Sequence, residues 1–348
     1  MENQKKKLTY ADSGVDIDAG DAAVERIKRL AQDTFNSKVL TGIGLFGGFY
    51  KPDFSGIEQP VLISSSDGVG TKLKLAFMTD IHDTIGEDLV NHCVDDILVH
   101  GARPLFFLDY IGTGKLSPDV IADVVAGLTR GCKQCNMPLL GGETAEMPDF
   151  YAPGEYDVAG FIVGVVDENR IINGTAIQPG DVCLGLPSNG LHTNGYTLAR
   201  KVAFDIAGKQ PHDHIDQLGT TVAKALMAVH RNYEPLVRGL LDSFTIHGMA
   251  HITGGGLPGN LSRVLPRNCD AVLRKSTWNV LPVFDWLESE GDLDRIDMYR
   301  AFNMGIGFVL VVPAETADEL QAAVSKAGET VYRIGEIIPG NGTVKMKD

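Results

Sequence analysis

The sequence has 348 residues, of which 44% are apolar and 22% charged, a balance typical of a globular protein with a substantial core. Its formal net charge of −14 argues against nucleic acid or an anionic membrane surface as a partner. The polar N-terminus, the lack of an apolar run long enough to span a bilayer and a count of only five cysteines lead us to expect a cytoplasmic protein without a disulfide framework.

The first half of the chain alternates strand and helix patterns. Short runs rich in Val, Ile, Leu and Phe predict strands at about 61–66, 104–111, 138–140 and 157–166. Helical periodicity in the intervening stretches predicts helices at 85–100 and 118–135.

The pattern restarts after Asn169, close to the Pro179-Gly180-Asp181 turn. The second half contains predicted strands near 182–186, 305–312 and 331–337, and predicted helices near 195–207, 220–232 and 315–327. Because both halves mix strands and helices, we predict an α/β (α+β) fold with two domains, residues 1–170 and 171–348.

The first glycine-rich segment contains Gly42, Gly44, Gly47 and Gly48. Its spacing matches the dinucleotide-binding pattern G-x-G-x-x-G, which requires a helix to open directly after it. Pro52 follows too closely for such a helix to continue. The segment therefore predicts either a flap that covers a nucleotide or a simple β-turn.

The second glycine-rich segment, residues 67–72, follows an apolar strand. Asp67 would lie at the end of that strand, where it can face a ligand. Gly68 and Gly70 leave backbone N–H groups free for phosphate oxygens, and Thr71 and Lys72 add a hydroxyl and a positive charge. A tight turn with a solvated lysine explains the same residues equally well.

Acidic residues on the helix at 85–100 form a third candidate feature. Asp88, His92 and Asp96 recur every four residues and therefore share one side of the helix, whereas Asp95 points more nearly away. Asp96 lies beside the apolar stripe, where it can face a cleft or remain solvated.

Glu143 follows two glycines and an apolar run, so we place it at another strand end. Neighbouring carboxylates repel unless a cation joins them. Because Mg²⁺ binds a few carboxylates together with phosphate oxygens, we predict Asp67, Asp96 and Glu143 as ligands of one or two Mg²⁺ ions.

Two polar loops in the second half could bind an anionic substrate. Open N–H groups at a helix start attract anions, although the same residues also act as simple helix caps. The candidate residues are Ser188, Asn189, Gly190, His192, Thr193 and Asn194 in the first loop and Gly254 and Gly255 in the second.

Taken in order, these motifs resemble the phosphoribosylformylglycinamidine cyclo-ligase (aminoimidazole ribonucleotide synthetase) family. The wider superfamily includes selenophosphate synthetase and thiamine-monophosphate kinase. The resemblance runs from about Tyr10 to Ile338. It rests on residues 13–20, 67–72, 101–110, 141–148, 187–196, 250–256 and 333–337. One departure is Asp95, where relatives commonly have asparagine.

The resemblance implies an N-terminal domain that binds ATP and Mg²⁺ and whose sheet pairs with a second subunit into a barrel-like homodimer. It also implies a C-terminal α/β domain that takes part in substrate binding. The resemblance does not decide whether the enzyme also needs a monovalent cation such as K⁺. The implied reaction closes the imidazole ring of aminoimidazole ribonucleotide from formylglycinamidine ribonucleotide, with release of ADP and phosphate.

Within that reaction, phosphorylation of the formyl oxygen by ATP would create a leaving group, and attack by nitrogen would expel phosphate. We assign Lys72 to the ATP phosphates and His192 either to proton transfer or to a structural role. Three alternatives stay open: a sibling ATP-dependent kinase, a nicotinamide oxidoreductase and a non-catalytic ATP sensor.

Overall fold

The computed structural model describes residues 7–348. Residues 1–6, part of the polar N-terminus on which the expectation of a cytoplasmic protein rests, lie outside the described residues. Between residues 7 and 348, no helix has both the length and the apolar character needed to cross a bilayer.

The first half folds around a four-stranded sheet with strand order β1-β4-β2-β3, curled like half a barrel. Strand β4 is antiparallel to both its neighbours, and β2 and β3 are parallel. The elements are α1 (Ile17–Gln32), β1 (Pro60–Gly68), α2 (Leu73–Thr79), α3 (Ile85–Leu98), β2 (Arg103–Thr113), α4 (Pro118–Gln134), β3 (Leu139–Glu146) and β4 (Tyr156–Asp167).

Alternation along the strands gives this sheet one buried face and one open face. In β2, Phe107 and Ile111 are buried on the side covered by α3 and α4, whereas Leu108 and Tyr110 are partly exposed on the opposite face. On the open face, Leu62 of β1 and Phe161 of β4 are 62% and 42% exposed. The outer face of the curled sheet therefore carries exposed apolar side chains in the single chain.

The second half contains a six-stranded mixed sheet, β12-β9-β11-β5-β10-β8, with helices on both faces, and a small two-stranded sheet of β6 and β7. Its strands are β5 (Val182–Pro187), β6 (His214–Ile215), β7 (Thr220–Thr221), β8 (Gly248–His251), β9 (Cys269–Arg274), β10 (Ile306–Val312), β11 (Tyr332–Pro339) and β12 (Val344–Lys347). Its helices are α5 (Tyr196–Arg200), α6 (Val222–Leu226), α7 (Glu234–Leu241), α8 (Gly256–Leu261), α9 (Pro282–Gly291), α10 (Arg295–Ala301) and α11 (Ala314–Lys326).

The predicted α/β fold is confirmed, with two differences in the second half. The helix predicted at 195–207 consists of α5 followed by a π-helical turn, Lys201–Ile206. The helix predicted at 220–232 is limited to Val222–Leu226. Beyond it, the backbone N–H groups of His230 and Tyr233 donate to the carboxylates of Asp88 and Asp95. These contacts with α3 replace the hydrogen bonds that a longer helix would make.

Candidate active site

Three side chains from the first half meet where its sheet faces the second half: Asp67, His92 and Asp96. Asp67 lies near the end of β1, and His92 and Asp96 lie one turn apart on α3. His92 Nε2 is 2.6 Å from Asp67 Oδ2 and 4.0 Å from Asp96 Oδ2. The Asp67 and Asp96 side chains are 44% and 27% exposed, so two open carboxylates flank a buried imidazole.

The second half extends this group inward through Thr193, His230 and His251. His92 Nδ1 is 2.5 Å from the Thr193 hydroxyl, which is 3.4 Å from His230 Nδ1. His230 Nε2 is 3.0 Å from His251 Nε2, and His251 Nδ1 is 2.9 Å from Asp96 Oδ1. A hydrogen-bonded chain, which we call the histidine chain, therefore joins Asp67 to Asp96 through both halves of the protein.

The three imidazoles of the histidine chain differ in the direction in which their surroundings shift the pKa. Burial lowers the pKa of both His230 and His251. Burial also opposes the charged form of His92, but the hydrogen bond to Asp67 and the negative charge of Asp96 outweigh it and raise the pKa of His92. Of the three rings, His92 is therefore the one whose charged form its neighbouring carboxylates favour.

The donor set at the outer end of the histidine chain fits a divalent metal ion. Asp67, His92 and Asp96 each offer one ligand atom, and these atoms lie within 4.8 Å of one another. Magnesium is commonly held by one or two carboxylates together with phosphate oxygens. Asp67 and Asp96 supply two carboxylates at an open edge, as that mode of binding requires.

Glu143, the third predicted magnesium ligand, lies away from this pair. The strand that we expected to end before it continues to Glu146, so Glu143 lies within β3. Strands β1 and β3 form opposite edges of the four-stranded sheet. Asp67 and Glu143 are therefore separated by three strand spacings, about 14 Å. A single ion cannot bind both residues in this arrangement.

Lys72 is also placed differently from its prediction, because it is fully buried between the two halves. Its ammonium lies 2.7 Å from Asp88 Oδ1 and donates to the carbonyl oxygens of His192 and Ala228 at 3.2 and 2.8 Å. Burial lowers the pKa of Lys72 and raises that of Asp88, and their mutual attraction opposes both shifts only in part. The lysine links the two halves and does not face the open glycine-rich loop.

Asp95 is fully buried too, although its helical position predicted that it points away from the cleft. It accepts a hydrogen bond from the backbone N–H of Tyr233 at 3.0 Å, and its other oxygen lies 3.5 Å from His230 Nε2. Burial raises its pKa well above the ordinary value. The second half covers this side of α3, which the periodicity of one helix does not reveal.

The segment with Gly42, Gly44, Gly47 and Gly48 forms an exposed loop above the outer face of the first sheet. Its base is closed by antiparallel pairing of Val39 with Tyr50, and no helix follows it before β1. This geometry excludes the dinucleotide-binding pattern, which needs that helix.

A cavity of about 640 Å³ lies between this loop and the sheet. Apart from the loop, it is bounded by the side chains or backbone of Phe106, Leu108, Asp109, Tyr110, Leu140, Gly141, Gly142, Glu143 and Phe161. Apolar and aromatic residues with a few polar groups are typical of a small-molecule site. Gly48 packs tightly there, since a Cβ at that position would lie 2.6 Å from Leu140 Cγ.

The loop after Asp67 presents Gly70 and Thr71 to solvent, with Gly68 partly covered. The Thr71 hydroxyl is 2.9 Å from that of Thr197 in the second half. Exposed backbone and a hydroxyl therefore lie next to the Asp67 carboxylate.

The predicted substrate loops touch each other, but only some of their residues face outward. Asn189, Gly254 and Gly255 are exposed and Asn194 is partly exposed; a Cβ on Gly254 would lie 3.3 Å from Asn194 Oδ1. Ser188 and Gly190 are buried and bind Asn303. Thr193 belongs to the histidine chain.

His192 is buried and has a left-handed backbone, with φ at 64°. Its ring stacks on that of His230 at 4.1 Å between centroids. Within the described residues neither ring nitrogen has a hydrogen-bond partner, and burial lowers its pKa well below the usual value. A neutral ring without contact to solvent is poorly suited to proton transfer.

Sequence reasoning missed His230, His251 and Asp109. His251 directly precedes the second polar loop, which was a usable signal. His230 lies inside the helix predicted at 220–232, and no sequence signal marks it as a residue of the site. Asp109 is buried beneath the sheet against Gly142, where a Cβ would lie 2.3 Å from its Oδ1, and burial raises its pKa to about 7.

Comparison with protein families matches residues 56–166 to the N-terminal domain and residues 178–347 to the C-terminal domain of AIR synthase related proteins. The chain is 50% identical over 335 residues to a protein of Syntrophotalea carbinolica, with 96% of each chain covered. It is 49% identical over 333 residues to one of Trichlorobacter lovleyi, covering 96% of this chain and 95% of that one. Both relatives are named phosphoribosylformylglycinamidine cyclo-ligase.

Solved structures of lower identity share the fold. Thiamine-monophosphate kinase from Stenotrophomonas maltophilia K279a superposes with a TM-score of 0.69 at 18% identity, covering 93% of this chain and 95% of that one. The structure of hydrogenase maturation protein HypE in complex with ATP superposes with a TM-score of 0.67 at 18% identity, covering 93% of this chain and 90% of that one.

Proposed function

The chain belongs to the phosphoribosylformylglycinamidine cyclo-ligase family and is an ATP-dependent ligase of purine biosynthesis, and we propose below how its residues serve the reaction. The resemblance inferred from the motifs is thereby confirmed. The reaction cyclises formylglycinamidine ribonucleotide to aminoimidazole ribonucleotide and releases ADP and phosphate. The open Asp67–Asp96 pair between the two halves is the observation that carries the residue assignment.

Asp67 and Asp96 hold Mg²⁺, since they offer adjacent carboxylates beside the exposed residues Gly70 and Thr71. A bound magnesium ion supplies charge neutralisation for phosphoryl transfer. Exposed N–H groups and the Thr71 hydroxyl next to Asp67 are suited to phosphate oxygens.

The loop with Gly42, Gly44, Gly47 and Gly48 covers ATP, and the apolar cavity beneath it receives part of the nucleotide. Gly68, Gly70 and Thr71 contact its phosphates. Glu143 lines the same cavity, so we assign it to the nucleotide site and not to the ion held by Asp67 and Asp96. Lys72 is assigned to the interface between the halves because its ammonium is fully enclosed there.

Asn189, Asn194, Gly254 and Gly255 contact the ribonucleotide, because they are the outward-facing members of two touching loops. Ser188, Gly190 and Thr193 hold the first loop from beneath. His192 supports the same loop and does not transfer protons. Orientation of the two reacting groups is the main contribution that such positioning residues make to a ring closure.

We propose that the chain divides into domains 1–170 and 171–348; the separate family regions at 56–166 and 178–347 support a boundary between residues 166 and 178. The exposed Leu62 and Phe161 on the open sheet face support a homodimer formed through that face. The five cysteines are all free, as expected for a cytoplasmic protein. Sedimentation of a Phe161→Asp variant, which should be monomeric, tests the dimer.

Turnover with formylglycinamidine ribonucleotide, ATP and Mg²⁺ tests the function, with ADP and the aromatic amine product measured together. Equal, Mg²⁺-dependent release of both is expected. ADP without the amine would instead indicate a kinase that phosphorylates the substrate.

Asp67→Asn and Asp96→Asn test the metal assignment. Each should abolish turnover while thermal unfolding stays close to that of the parent protein. Asp318→Asn is the control, because Asp318 is an exposed residue of α11 whose carboxylate lies 3.5 Å from Arg333 and belongs to no contact of the Asp67–Asp96 cluster. Near-normal turnover in either test variant would remove that residue from the metal site.

A further inference from the structure

His251 contacts both Asp96 and His230 and lies directly before the second substrate loop. Its Nδ1 lies 2.9 Å from Asp96 Oδ1, and its Nε2 lies 3.0 Å from His230 Nε2. It is also the last residue of β8, two residues before the loop of Thr253, Gly254 and Gly255. One side chain thus contacts a carboxylate of the first half while its backbone begins a substrate loop of the second.

Burial makes the orientation of this ring well defined. His251 is 6% exposed, its two ring nitrogens both have partners, and Phe308 of β10 stacks on it at 6.5 Å between centroids. On the other side, Asp96 is also held by the Ser65 hydroxyl, which donates to Oδ2 at 3.1 Å. The two oxygens of Asp96 are therefore each fixed by one neighbour, and the carboxylate cannot rotate freely.

We propose that His251 is a positioning residue that holds Asp96 in its metal-binding orientation and couples that orientation to the docking of the substrate loop against the first half. The proposal rests on the assignment of Asp96 to the metal site. Hydrogen-bond partners of metal-ligating carboxylates typically contribute 10–100-fold in metal affinity or activity. Without the imidazole, the Asp96 carboxylate can rotate about its side-chain bonds. Binding of the ion must then also restrict this rotation, which weakens metal binding.

The chain offers a matched control in His247, just before β8. His247 Nδ1 lies 2.8 Å from Asp181 Oδ2, the same type of contact in the same half of the protein. Asp181 directly precedes β5 and takes no part in the histidine chain. Replacing His247 therefore removes an equivalent imidazole–carboxylate contact without touching Asp96.

Binding of Mn²⁺ to the full chain, followed by electron paramagnetic resonance without nucleotide, is the first measurement. His251→Ala should weaken binding about 10–100-fold. His251→Asn should restore most of the loss, because its Nδ2–H₂ group can occupy the position of Nδ1 and donate to Asp96. His247→Ala should bind Mn²⁺ like the parent. Wild-type affinity in a folded His251→Ala protein, or no recovery in His251→Asn, would overturn the proposal.

Asp96→Asn in the same assay separates this proposal from the metal assignment. Weak binding by Asp96→Asn together with normal binding by His251→Ala would refute only the positioning role. Normal binding by Asp96→Asn would refute the metal assignment and the positioning role with it.

Turnover gives a second readout. In His251→Ala, added Mg²⁺ should recover much of kcat, and the KM for Mg²⁺ should rise more than kcat falls. A drop in kcat that Mg²⁺ does not recover would contradict the proposal.

Discussion

Replacing Lys72 with methionine tests whether the buried Lys72–Asp88 ion pair stabilises the contact between the two halves. Both side chains are 0% exposed, and the ammonium lies 2.7 Å from Asp88 Oδ1. Methionine fills similar volume, so the main loss is the charge and its three hydrogen bonds. The Asp88 carboxylate would stay buried without its cation.

Removing one partner of a buried ion pair typically costs about 3–5 kcal/mol. The carbonyl of Ala228 also loses the lysine as a donor, whereas the carbonyl of His192 retains the Tyr196 hydroxyl at 3.0 Å. We therefore expect Lys72→Met to lower the free energy of unfolding by about 3–5 kcal/mol, a large part of the 5–15 kcal/mol usual for a folded protein.

Urea denaturation followed by circular dichroism measures this loss. Lys74→Met is the control, since Lys74 is two residues further on, partly exposed, and paired with Glu155. An ion pair of that kind contributes about 0–1 kcal/mol. The double variant Lys72→Met/Asp88→Asn should be more stable than the single variant. The asparagine is uncharged, and its Oδ1 still accepts from the backbone N–H of His230.

The loss of unfolding free energy in Lys72→Met should also depend on pH. Burial raises the folded-state pKa of Asp88 above its unfolded value, so the ionised carboxylate costs more stability as pH rises through the folded pKa. Without Lys72 this cost grows, and the deficit should shrink as pH falls. A loss no larger than that of Lys74→Met, or a double variant no more stable than the single, would refute the reasoning.

Two further predictions concern the nucleotide site and the sheet beneath it. Gly48→Ala should raise the KM for ATP about tenfold, or ~1.4 kcal/mol, because its Cβ would lie 2.6 Å from Leu140 Cγ. Gly47→Ala should leave it unchanged, since no atom lies within 4 Å; equal effects in steady-state kinetics would contradict this. Asp109→Asn should stabilise the protein by ~3–4 kcal/mol at pH 8.5 and little at pH 4, because burial raises the pKa of Asp109 to about 7 and its ionised form costs stability above that pH. Chemical denaturation at both pH values checks this, and a gain independent of pH would show that ionisation is not the cause.

Local patterns in the sequence were sufficient for much of the fold. The strands at 61–66, 104–111 and 157–166 and the helices at 85–100 and 118–135 have strong apolar periods, and each exists in the structure. The helix predicted at 220–232 ends early because Asp88 of α3 accepts from the backbone N–H of His230 within it and Asp95 of α3 from that of Tyr233 just beyond it. Such competition comes from residues over a hundred positions away and leaves no local signal.

In the candidate site, too, some placements follow from local sequence patterns and others depend on the tertiary structure. The sequence indicated Asp67 and Asp96 as neighbours because one follows a strand and the other lies on the exposed edge of a helix. It also indicated Glu143 by the same reasoning, but strand order decides how far apart two strand residues lie. With β1 and β3 at opposite edges, the sheet separates Glu143 from Asp67.

The sequence by itself determined the family, the α/β class and the presence of acidic, glycine-rich loops, because motifs and periods are local properties of the chain. Only the tertiary structure decided that Lys72 faces inward to Asp88 and that His230 and His251 join Asp67 to Asp96 through the histidine chain. The physical reason is that these contacts form where the second half packs against α3. Burial there excludes water, so each charged or polar group must find its partner across the interface.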